Sequence, residues 1–293
     1  MKKILFLLLS LPLFANSQTG SEIYLFDLKM VNKEPVLSNP VNITNHKGYD
    51  NQPFFHPKKP IIYYSSFNDS GRSDIKFYNY KSKETSNFTM TNEREYSPTL
   101  TPDGKFISCI IQRDNGAQDL GKYPVDRGEP IVLINTLKVG YHVWINKNSL
   151  LLFILEDSGR NVLRYYNLKT KEDKLLLKNP GRSLHHIPTR LPGTAIISFV
   201  EKQNKDEWYI KHYDTKTGEI TLIAKTLTGR EDLCWLSNGL IIMSDGTSLF
   251  YLNVNNNQGW KPILTDMGTT SLKAITRLAV SSDNSKLAVV ASE

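Results

Sequence analysis

Two cysteines, Cys109 and Cys234, are all that the 293 residues contain. Whether they can pair depends on the fold, although an exported compartment would permit a disulfide. Basic tracts are missing as well: no five Lys and Arg residues stand in a row, so the formal net charge of +7 is dispersed. Dispersed charge reads as solvated surface and excludes a nucleic-acid-binding stripe. No Gly-x-Ser-x-Gly elbow of a serine hydrolase occurs, and no histidines stand in the close His-x3-His spacing of a zinc site. No apolar stretch reaches the ~20 residues that span a bilayer. The composition is nevertheless that of a folded chain, because 40% hydrophobic and 22% charged residues are too apolar for a disordered one.

The apolar run that does occur is short and sits at the start. Lys2 and Lys3 precede eleven residues, Ile4 to Phe14, broken only by one Ser and one Pro, and Ala15-Asn16-Ser17 follows. A positive start, a short apolar centre and small residues before a cut form the secretory leader pattern. Cleavage is expected after Ser17, leaving 18–293 as one domain in the periplasm or outside the cell. Losing two lysines leaves the mature chain at +5.

Internal repetition is the strongest signal. Tyr96-Ser97-Pro98-Thr99-Leu100-Thr101-Pro102-Asp103-Gly104-Lys105-Phe106-Ile107 reads as strand, turn, strand: Pro presets one backbone angle of the turn and Gly accepts its left-handed position. The same shape recurs from Pro53, His142, Ile187, Leu233 and Leu278, so six units start at 53, 98, 142, 187, 233 and 278, spaced by 44 to 46 residues. In step with the first five units come strands expected to end in Asn79, Asp126, Asn167, Asp214 and Asn253, each followed by another strand. Four short strands per 45 residues is the length of a propeller blade. The sixth unit has only two strands left, and residues 19–45 supply the rest: Ile23–Leu28 as its third strand and Val41–Thr44 as its fourth. The expectation is an all-β, six-bladed propeller with four-stranded blades, the sixth closed by both termini. Units two and five then lie opposite each other, which keeps Cys109 and Cys234 apart as free thiols.

The run Ser97-Pro98-x-Leu100-Thr101-Pro102-Asp103-Gly104-Lys105, with Gly71-Arg72-Ser73-Asp74-Ile75-Lys76-Phe77-Tyr78-Asn79 as a second half-repeat, resembles TolB-like, WD-type propeller repeats. That resemblance implies a six-bladed propeller, exported, binding a protein or a saccharide. It covers the propeller alone, without the additional α/β domain that precedes the propeller in TolB.

Three sets of residues invite chemistry. The residue just before each unit start is polar in all six cases: Gln52, Ser97, Tyr141, His186, Asp232 and Arg277. A buried strand position would not choose polar side chains six times, since each needs a partner. These six are expected to ring the mouth of the central channel and to face a ligand or partner. Second, some pectin-degrading lyases resemble this fold and hold a metal on histidines, which makes His142, His185 and His186 the alternative metal candidates. Third, the acidic pairs Glu231-Asp232 and Glu93/Glu95 are the residue types of carboxylate catalysis, but turn and surface roles are the expectation. Two residues past the unit starts lie Phe55, Leu100, Trp144, Thr189, Trp235 and Val280, mostly apolar and expected to pack between blades. The reading is a monomeric, exported, non-catalytic binding or scaffold module with no cofactor and an envelope protein or saccharide as partner. Its alternative is a polysaccharide lyase or hydrolase with a metal or carboxylate site in the channel.

Overall fold

The computed structural model describes residues 20–156, 159–188, 195–256 and 258–293. The leader therefore lies outside the described residues, as do Thr189 and the Pro192-Gly193 turn.

Six antiparallel sheets form a closed ring. Blade 1 comprises Asp50–Phe55, Ile61–Phe67, Ser73–Asn79 and Glu84–Asn87. Blade 2 is Arg94–Leu100, Phe106–Gln112, Gln118–Pro124 and Ile131–Ile134; blade 3 is Val139–Trp144, Ser149–Ile154, Val162–Asn167 and Asp173–Lys178. Blade 4 holds His185–His186, Ile196–Lys202, Trp208–Asp214 and Ile220–Lys225; blade 5 holds Leu233–Trp235, Leu240–Ser244, Leu249–Asn253 and Lys261–Pro262. In each the first strand is innermost and borders the channel. Blade 6 orders Leu278–Val280, Lys286–Ser292, Ser21–Val31 and Glu34–Asn42 from inside to outside. Its seam pairs Ser21 with Ser292 through to Asp27 with Lys286, and that last pair adds an ion pair. Closure by both ends removes the open edges that a fan of sheets would expose.

The regular period has a local cause in two kinds of turn. Between first and second strands, Thr101 and Lys105 donate to the Asp103 carboxylate at 2.6 and 3.1 Å, while Gly104 sits at φ +71°. Ser281, Asp283 and Ser285 repeat the arrangement in blade 6, where Asn284 takes the left-handed position at φ 55°. Between third and fourth strands, the Asn79, Asn167 and Asp214 side chains each accept two backbone N–H groups from the following residues. These are Asx turns, in which a short side chain substitutes for a backbone acceptor.

Three details differ from the sequence expectation. The fourth strand of blade 6 is Glu34–Asn42 rather than Val41–Thr44, because Asn32 and Lys33 both adopt positive φ (51° and 69°) and fold the chain back at once. The third strand of blade 2 ends at Pro124, before Asp126. Blade 6 also gains a fifth strand, Leu264–Thr265, parallel to Glu34–Asn42 through Val36 and Leu37. It is too short to carry a sequence signature, and it covers part of the outer edge.

The core lies between blades. Phe55, Trp144 and Trp235 are buried, and Leu100 and Val280 are half-buried. Trp144 of blade 3 donates its indole N–H to Ser108 Oγ of blade 2, and Trp235 of blade 5 does the same to Ser198 Oγ of blade 4, both at 2.8 Å. A wide indole thus packs over a small residue of the neighbouring blade, and its polar edge is satisfied. Cys109 and Cys234 are buried free thiols in blades 2 and 5.

Candidate functional site

Gln52, Ser97, Tyr141, His186, Asp232 and Arg277 all line one cavity of about 510 Å³ in the channel. Its walls are mainly apolar, with Phe54, Leu100, Val143, Ile145, Leu184 and Leu278. Tyr141 and His186 stand within paired first strands, and the other four polar residues reach this position in two ways. In blades 1 and 2 the first strand bulges, and Gln52 and Ser97 occupy left-handed φ of 58° and 55°. Such bulges re-aim a side chain out of the ladder. In blades 5 and 6, Asp232 and Arg277 stand just before the strand begins.

The floor of the cavity is an ion-paired cluster. Asp232 Oδ1 accepts from Arg277 at 3.0 Å and from Arg182 Nε at 3.2 Å; its Oδ2 accepts from Arg182 at 2.7 Å. Arg277 also donates to the Tyr141 hydroxyl at 2.8 Å, and its guanidinium carbon lies 4.7 Å from that ring's centre. Tyr141 belongs to blade 3 and Arg277 to blade 6, which face each other across a six-bladed ring. The bond therefore spans the bore. A second cavity of about 300 Å³ lies beyond it, shares Tyr141, Arg182 and Arg277, and is otherwise lined by residues such as Tyr49, Asn51 and Thr276. The channel is thus divided into two chambers.

Burial disfavours the charge on Asp232, but Arg277 and Arg182 outweigh it and hold its carboxyl below the usual range. Burial likewise opposes the charge on Arg277, and Asp232 reverses the effect and raises its pKa. Glu231 accepts the backbone N–H of Arg182 at 2.9 Å and pairs with Lys202 at 2.9 Å.

Arg182 was missed by the sequence reading. It sits ahead of the first strand of blade 4, off the six-fold position, and only its place in a Gly-Arg-Ser stretch before a channel strand marks it. The surface role expected for the acidic pairs is also corrected. Glu95 is wholly buried, with Thr89, Thr91 and Tyr123 donating to its carboxylate at 3.2, 2.5 and 2.9 Å. Burial raises its pKa. Glu93, by contrast, pairs with Arg113 at 2.9 Å.

The three candidate metal-binding histidines are engaged separately. His142 is buried, and its Nε2 lies 2.8 Å from Ser108 Oγ. His185 Nε2 lies 2.8 Å from Ser183 Oγ, and His186 Nε2 donates to the Trp144 carbonyl at 2.6 Å. Burial pushes His142 down to about 3 and His185 to about 4, and also lowers His186, so these rings are neutral at physiological pH. Among the described residues, no three His, Cys, Asp or Glu side chains are grouped to hold a metal ion.

The architecture is that of six-bladed propellers, and solved structures share it. A putative TolB from Agrobacterium tumefaciens superposes with a TM-score of 0.68 at 11% identity, over 94% of this chain and 99% of that one. TolB from Acinetobacter baumannii gives 0.53 at 13%, over 94% of this chain and 64% of that one. An oligogalacturonate lyase in complex with manganese gives 0.55 at 13%, over 89% and 83%. Identities this low establish a shared fold, a TolB-like propeller. No protein-family model matches the chain. No curated protein matches it.

Proposed function

We propose that the protein is an exported propeller that binds a partner in the larger channel chamber and performs no catalysis of its own. The observation that carries this reading is the chamber itself: concave, mainly apolar, with a few convergent polar groups, the usual form of a binding pocket. The leader at residues 1–17 supports a periplasmic or extracellular location, and among the described residues no helix is long and apolar enough to cross a membrane. The TolB-like fold supports an envelope protein or saccharide as the partner class. A metal-assisted enzyme would need several ligands on one ion, whereas His142, His185 and His186 direct Nε2 to three different partners.

A photo-crosslinking residue in place of Phe54, on the chamber wall, tests the reading in cells. Discrete adducts are expected there and not from the same residue at Leu222, an exposed position on an outer strand. Adducts at neither position would sink it, and stoichiometric metal in the purified protein would favour the enzyme.

A further inference from the structure

The chamber has a charge imbalance. Among the described residues lining either chamber, Arg182 and Arg277 are the cations and Asp232 is the carboxylate. Glu231 stands outside both linings and is shared between Arg182, at 3.5 Å, and Lys202, at 2.9 Å. The lining histidines are neutral and add nothing. Arg182, Arg277 and Lys202 share the two carboxylates of Asp232 and Glu231, which leaves one positive charge in excess beside a channel of low polarity, where an unpaired charge is costly. Arg277 carries the excess most plainly. A guanidinium has five N–H donors, and this one spends one on Asp232 and one on a neutral phenol.

The polar groups nearer the opening are also unsaturated. Gln52 uses its oxygen twice, accepting from the Ser97 N–H at 2.7 Å and from Ser65 Oγ at 3.0 Å, which frees its amide N–H groups. His186 donates through Nε2, so its neutral ring keeps Nδ1 as an acceptor. One donor and one acceptor set among apolar walls match a peptide backbone with apolar side chains. A hydrocarbon chain would leave both unpaired, and a sugar would find few partners for its hydroxyls.

We infer that the larger chamber receives the C-terminal end of an apolar peptide segment, with its α-carboxylate on Arg277 beside Arg182. The inference rests on the chamber being the binding site proposed above and adds the chemistry of the occupant. Charge-assisted hydrogen bonds from a guanidinium fork to a carboxylate are the strongest contacts such a site offers. Occupancy would also complete the charge balance.

Calorimetry with acetyl-Ala-Leu-Val as the free acid and as the C-terminal amide tests this. The acid is expected to bind at least tenfold more tightly than the amide, and R277Q is expected to abolish that difference. Because R277Q disturbs the ion-paired cluster, D232N provides an independent arm: it raises the positive excess. It is expected to tighten acid binding severalfold and to give a larger rise in melting temperature on adding the acid than wild type shows. Equal affinity for acid and amide, or an unchanged or weakened response in D232N, overturns the inference. Tight R277-dependent binding of octanoate or galacturonate without peptide binding overturns the peptide assignment. Chamber crosslinks at position 54 alongside equal acid and amide affinities would leave the binding reading standing and remove only the carboxylate.

Discussion

Two regions of the ring bury carboxylates and handle them in opposite ways. In the channel, Asp232 lies between Arg182 and Arg277 and is held ionised. At the junctions of blades 6, 1 and 2, acids lie beside acids: Glu22 with Asp50, and Asp74 with Glu95. Hydroxyls and backbone N–H groups serve Glu22, Asp74 and Glu95. Asp50 is 1% exposed, and among the described residues its carboxylate has no hydrogen-bond partner, with His46 Nδ1 3.6 Å away. Burial pushes Asp50 up to about 6, and the opposing pull of Ser66 and His46 does not cancel it. The contrast shows that burial raises a carboxyl's pKa unless cations in direct contact outweigh it, as Arg277 and Arg182 do at Asp232.

The strongest way to break the channel side is to remove its carboxylate. Asp232→Ala leaves the buried Arg277 without its counter-charge and Arg182 with Glu231 alone at 3.5 Å, and the expected loss is about 3–5 kcal/mol. Chemical denaturation reads it. A change below about 1 kcal/mol would mean that water or a solution anion replaces the carboxylate.

Acidification separates the two regions by sign. Asp50 has a folded pKa above its unfolded value, so its contribution is fully present below about pH 4 and is lost as pH rises through about 6. A shift of this size corresponds to on the order of 3 kcal/mol. Asp232 is depressed, so its contribution is present above the unfolded carboxylate range and is lost as pH falls through its lower folded value. Asp50→Asn is expected to flatten the fall in stability between about pH 4 and 6, as measured by melts across that range. An unchanged slope would place the proton elsewhere.

The finest test compares two tyrosines. Tyr141 accepts from a cation, whereas Tyr123 donates to Glu95 at 2.9 Å. Tyr141→Phe and Tyr123→Phe are each expected to cost roughly 1–2 kcal/mol near neutral pH. Only the Tyr123→Phe cost should shrink in acid, because a bond to a neutral carboxyl is weaker than one to a carboxylate. Parallel pH profiles for the two variants would erase the distinction.

The fold was legible because its turns need particular residues. Turn pairs such as Asp103-Gly104, Asn238-Gly239 and Asp283-Asn284, and the Asn or Asp that closes the third strand in blades 1, 3 and 4, recur at a fixed spacing. The polar position before each unit start was legible for a related reason: polarity there recurs in all six units beside mostly apolar positions. Arg182 and the buried acids were not, because their meaning depends on which strands meet. A signal for the acids did exist. Asp50 and Glu95 each stand three residues before a unit start, and Glu22 and Asp74 each open a third strand. Acid at equivalent repeat positions marks a shared environment, but sequence alone could not say whether that environment was wet or dry.

The bond between Arg277 and Tyr141 has a mechanical consequence. Six wedges held only by their neighbours form a hoop that can ovalise as opposite blades tilt together. A strut across the bore resists that mode, and it joins the blade that seals the ring to the one farthest from it. Any anion that draws Arg277 away from Tyr141 would release the strut, so filling the bore would soften the hoop along one diameter and leave the blades themselves intact.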